Sequence, residues 1–73
     1  MNERINYARK TIENEIRWAE EAFEEYKECV IKAAERNNTE SILSWAGHMK
    51  DCENKIKSLR EQLKVVEFIE NEK

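Results

Sequence analysis

The chain has 73 residues, with 13 Lys and Arg against 16 Asp and Glu, a formal net charge of −3, one Gly and no Pro. That bounds it to one domain, and a single Gly with no Pro leaves no material for a phosphate-binding loop, a dinucleotide fingerprint or a β-hairpin turn. Charged and apolar residues each make up 40%, against roughly 25% charged in an ordinary domain, which excludes a compact single-core enzyme and a disordered polyelectrolyte and points to long exposed helices.

From Ile5 the apolar residues recur at Ala8, Ile12, Ile16, Ala19, Phe23, Tyr26, Val30 and Ala33, in steps of three or four that trace one helical face. Ala22, Cys29 and Ala34 widen this stripe, so the face is expected to touch two neighbours. The periodicity stops at Asn37-Asn38-Thr39, where Asn tolerates the left-handed backbone that ends a helix, and Asn38 or Thr39 can cap the next one. A second stripe then runs Ile42, Trp45, Met49, Cys52, Ile56, Leu59, Leu63 and Val66, the strict three-four alternation of a coiled-coil seam. Gly47 lies inside this helix, where close packing against the first helix would explain it.

These readings give an all-α fold with one domain over 1–73: helix 3–36, turn 37–38 and helix 39–70, folded as an antiparallel, coiled-coil-like two-helix hairpin. In that register Glu20, Glu21, Glu24, Glu25 and Glu28 are expected to answer Lys50, Lys55 and Lys57. Two helices touching along one seam bury little apolar surface, and two cysteines in a chain read as cytoplasmic offer no disulfide framework. A homodimeric four-helix bundle is therefore expected, its core drawn from Ile12, Ile16, Trp18, Phe23, Tyr26, Val30, Trp45, Met49, Ile56, Leu59 and Leu63. No run approaches the roughly 18 apolar residues of a membrane span, and the opening decapeptide lacks the apolar segment of a signal peptide, so neither membrane contact nor export is expected.

Few side chains form a chemical constellation. Glu21-x-x-Glu24 and Glu25-x-x-Glu28 put paired carboxylates on one helical face. In this they resemble the Mg²⁺-dependent helical pyrophosphohydrolases of the MazG type, which would imply an NTP pyrophosphohydrolase-like enzyme. The family's second acidic pair falls on His48-x-x-Asp51, which departs at its first ligand. A di-iron bundle would need a Glu three residues before His48, where Trp45 stands. His48 and Cys52 share a face and could enter a zinc site only by pairing across a dimer; the plainer reading is a boundary imidazole and a buried free thiol. Cys29 and Cys52 lie too far apart in the register for a disulfide. No catalytic residue, cofactor or metal is expected.

Tyr7, Trp18, Ile31, Leu43, Val65, Phe68 and Ile69 fall off both stripes, and a two-helix seam leaves them exposed. Contiguous exposed apolar surface marks interfaces. The expected function is accordingly a non-enzymatic protein-binding module, a small regulator or inhibitor that occupies a partner's surface through Tyr7, Val65, Phe68 and Ile69. The abundance of Glu, Lys, Ile and Asn, types with AT-rich codons, suits a low-GC bacterium or its phage. The alternative partner, RNA, rests on Lys50, Lys55, Lys57, Arg60 and Lys64 and on an architecture similar to dimeric hairpins of the Rop type. It is the less expected one: beside Glu53 and Glu61 the local balance is weakly positive, and the likeness is one of architecture with no shared motif.

Overall fold

Asn37 has a backbone φ of 56°, the left-handed conformation that an Asn side chain tolerates better than most, and the whole topology turns on it. The computed structural model describes residues 2–72, with α1 at Asn2–Glu35 and α2 at Thr39–Asn71. Past the end of α1, the Asn38 N–H donates to the Ala33 carbonyl and the Asn37 N–H to the Ala34 carbonyl, both at 3.0 Å, which is the Schellman arrangement. The Arg36 N–H also donates back to the Ala33 carbonyl (3.2 Å). This tightened bond places Arg36 in the turn, one residue earlier than the periodicity predicts. Asn38 then caps α2, its Oδ1 accepting from the Ser41 N–H at 3.2 Å and its carbonyl from the Ile42 N–H at 3.0 Å. One residue thus closes one helix and opens the next.

Every residue of the two apolar stripes is buried or half-buried, and Ala19, Ala33 and Leu59 are the most deeply placed. With the seam residues at heptad positions a and d, Ile16, Phe23 and Val30 are a residues of α1, and Ile42, Met49, Ile56 and Leu63 are a residues of α2. The antiparallel register then sets residues whose numbers sum to about 75 across from one another. Small residues repeatedly meet large ones at the same level, as Ala19 with Ile56 and Ala33 with Ile42. Ala22 and Cys29 flank the seam half-buried, whereas Ala34 is exposed.

The heptad period also places Arg9, between Ala8 and Ile12, and Glu70, one step past Val66, in seam positions. The Arg9 Nε donates to Glu70 Oε2 at 3.2 Å, with both side chains less than a third exposed, and Arg9 also donates to the Asn6 side chain. Glu70 is thereby held helical, and α2 runs to Asn71, one residue beyond expectation.

The second cross-helix ion pair among the described residues is Arg60 to Glu20 at 2.8 Å. Lys50 instead pairs with Glu53 on its own helix (3.6 Å). The expected matching of the Glu20 to Glu28 run with Lys50, Lys55 and Lys57 is corrected accordingly. Glu20 and Arg60 occupy e positions beside the seam, while Glu21, Glu24, Glu25 and Glu28 stand at b, c and f and point away from it.

Gly47 also departs from expectation. An added Cβ would meet nothing within 4 Å, so packing against α1 does not explain it. Gly47→Ala is expected to stabilise the protein by about 1 kcal/mol through helix propensity alone, read as a higher urea midpoint by far-ultraviolet circular dichroism. A lower midpoint would place a second chain against this position.

Candidate interaction surface

The seven large apolar residues outside the stripes are all exposed, from Ile31 at 46% to Tyr7 at 74%. Tyr7 and Phe68 stand at f positions, facing directly away from the seam on their respective helices, so they share a level at one end of the hairpin but look outward in different directions. Val65 and Ile69, at c and g, turn toward one long side. The four residues expected to form a partner site are therefore brought to one end, with Val65 and Ile69 on a shared side and the two aromatic rings on the outer faces.

The long sides differ sharply in charge. Over α1 residues 6–25 and α2 residues 51–69, the e and b positions hold Asn6 and the charged Lys10, Glu13, Arg17, Glu20, Glu24, Glu53, Lys57, Arg60, Lys64 and Glu67. Shallow grooves on this side are lined by Glu20, Glu24, Glu53 and Arg60 and by Glu13, Lys64 and Glu67 over an apolar floor of Phe23, Ile56, Ile16 and Leu63. On the other side, over α1 residues 6–25 and α2 residues 51–69, the g and c positions hold Ala8, Thr11, Trp18, Ala22, Ser58, Gln62, Val65 and Ile69, with Glu15, Glu25, Asp51 and Lys55 as the charges. Such a charge-poor strip with an exposed Trp has the composition of an interface centre. Nearer the turn, Ile31 and Leu43 lie on the charged side at matching levels.

Of the residues assigned to the oligomer core, Trp18 is the exposed member, at 69%. Ile12, Ile16, Phe23, Tyr26, Val30, Trp45, Met49, Ile56, Leu59 and Leu63 line the intramolecular seam, half-buried except for the more deeply placed Leu59. His48, exposed beside that seam, stacks on Tyr26 with ring centroids 5.2 Å apart, and Tyr26 stacks on Trp45 at 5.6 Å. The Trp45 and His48 rings are 5.5 Å apart and tilted. The sequence reading overlooked this three-ring cluster, although the register placed Tyr26 close to both 45 and 48.

Cys29 and Cys52 are free thiols, both half-buried. Among the described residues no three His, Cys, Asp or Glu side chains converge to hold a metal ion. The carboxylates of Glu21, Glu24 and Glu25 instead border an open surface together with Glu20 and Arg17. No helix among the described residues is long and apolar enough to cross a membrane. Comparison with protein-family models, with curated proteins and with solved structures finds no match for this chain.

Proposed function

We propose that this chain is a non-enzymatic protein-interaction module that works as a homodimeric four-helix bundle, a small regulator or inhibitor that acts by occupying a partner's surface. The observation that supports it is the area left uncovered. The hairpin exposes 6144 Å², whereas a compact chain of its 8.8 kDa mass exposes about 4,800 Å². The excess of about 1,400 Å² exceeds the roughly 800 Å² per partner that a stable interface consumes. The rod is 56 × 14 × 11 Å between Cα extremes, thin enough that no side chain among the described residues falls below 2% exposure. A second hairpin laid alongside supplies the missing half of a bundle core.

Light scattering should give twice the chain mass of 8.8 kDa, and a tenfold dilution should lower the melting midpoint by about 3 to 6 °C. A monomeric mass with an unmoved midpoint would overturn the dimer. The binding role is tested by affinity capture from a low-GC bacterial lysate, comparing wild type with the Tyr7→Ala/Phe68→Ala variant. A specific protein retained by wild type and lost by the variant, with helicity and mass unchanged, supports it. Equal recoveries would remove these two rings from the binding surface.

A further inference from the structure

We infer that the charge-poor long side centred on Trp18, Ala22, Val65 and Ile69 is the face on which a second copy of this chain docks, leaving the outward-facing Tyr7 and Phe68 for other partners. The inference rests on the dimeric reading above and specifies it. Its first support is the charge asymmetry. Burying the opposite side would desolvate the row from Lys10 to Glu24 on α1 and from Glu53 to Glu67 on α2, each charge costing far more than a neutral residue unless it is paired. Docking on the Trp18 side desolvates four charged residues per copy along that length, Glu15, Glu25, Asp51 and Lys55, against ten on the opposite side.

The second support is shape. Ala8 and Ala22 at g positions flank the α1 seam half-buried, on either side of the exposed Glu15, so each leaves a low spot, and Trp18 stands up beside Ala22 at 69% exposure. A large ring beside small neighbours is a knob next to a hole, and a two-fold axis supplies each hole with the other copy's knob. The uncovered area estimated above is sufficient for such a contact. A two-fold contact is also self-limiting, so it closes at two copies instead of growing into a fibre.

The test introduces charge on each side in turn. Trp18→Glu/Val65→Glu alters two positions that the hairpin leaves exposed, so its helicity should persist while its dimer dissociation constant rises at least about a hundredfold. Leu43→Glu changes an equally exposed residue, at 68%, on the charged side, and should leave the mass at two chains. A dimeric Trp18→Glu/Val65→Glu variant, or a monomeric Leu43→Glu variant, would overturn the assignment of the face while leaving the dimer in place. A monomeric wild type would overturn the dimeric reading itself. Should the double variant lose helicity, a Trp45→Phe variant decides the matter, because Trp18 is then the sole indole. Its emission should shift to the red on dilution if the ring is covered by the second copy, and an unmoved emission maximum across the dissociation range would overturn the assignment.

Discussion

Leu59→Ala should lower the unfolding free energy by about 3 kcal/mol, within the range for a leucine truncated in a packed core. Leu59 is the most buried large side chain of the hairpin, 5% exposed, and the register sets it across from Ile16 and one layer from Ala19. Ala19 has no atoms to move into the space that the truncation would open. Leu43→Ala removes the same atoms from an exposed position and should cost less than about 0.5 kcal/mol. The comparison calls for urea unfolding followed by circular dichroism at one fixed protomer concentration, because the proposed association would contribute to the apparent stability. Equal losses at the two sites would mean that the seam is not the energetic core.

Trp45→Ala is the second large effect, at about 3 kcal/mol. Trp45 packs in the seam and stacks on Tyr26, so truncation removes buried area and also strips Tyr26 of a ring partner. His48→Ala leaves the Tyr26 and Trp45 stack in place and should cost about 0.5 kcal/mol, because an exposed ring contributes stacking with little burial. The near-ultraviolet dichroism of the aromatic cluster should collapse in the Trp45 variant and persist in the His48 variant. A His48→Ala loss as large as that of Trp45→Ala would show that the three rings act as one unit.

What was readable in the sequence follows from what hydropathy can report. The three-four alternation from Ile42 to Val66 leaves one face available for a partner helix, so both the seam and its leftovers, Trp18 and Leu43 among them, could be named from spacing. Asn37-Asn38-Thr39 was the lone chain reversal because both Asn residues have a local reason to be there, one tolerating positive φ and the other capping. Arg9 and Glu70 were invisible to the same reading, since a search for apolar residues steps over charged ones even where the period lands on them. The acidic run was matched to lysines at the right level, but level alone does not fix which way a side chain points around the helix. Residue type alone suggests a packing role for Gly47, and its position opposite the seam denies it one within the hairpin.

The three-residue reversal at Arg36 to Asn38 makes the hairpin a one-dimensional zipper. Each layer of the seam contacts mainly its neighbours, as in a repeat array, and the shortest loop to close is the one already joined by the turn. Order is therefore expected to be seeded at the Asn37 end and to spread toward the Arg9–Glu70 pair, and hydrogen exchange should be fastest at the layers farthest from the turn. The charge-poor side runs from the middle of the rod to the end farthest from the seed, where local opening free energy is smallest. A second copy docked there, as proposed, would act where the zipper is weaker, so that association and the ordering of the distal layers would become one equilibrium.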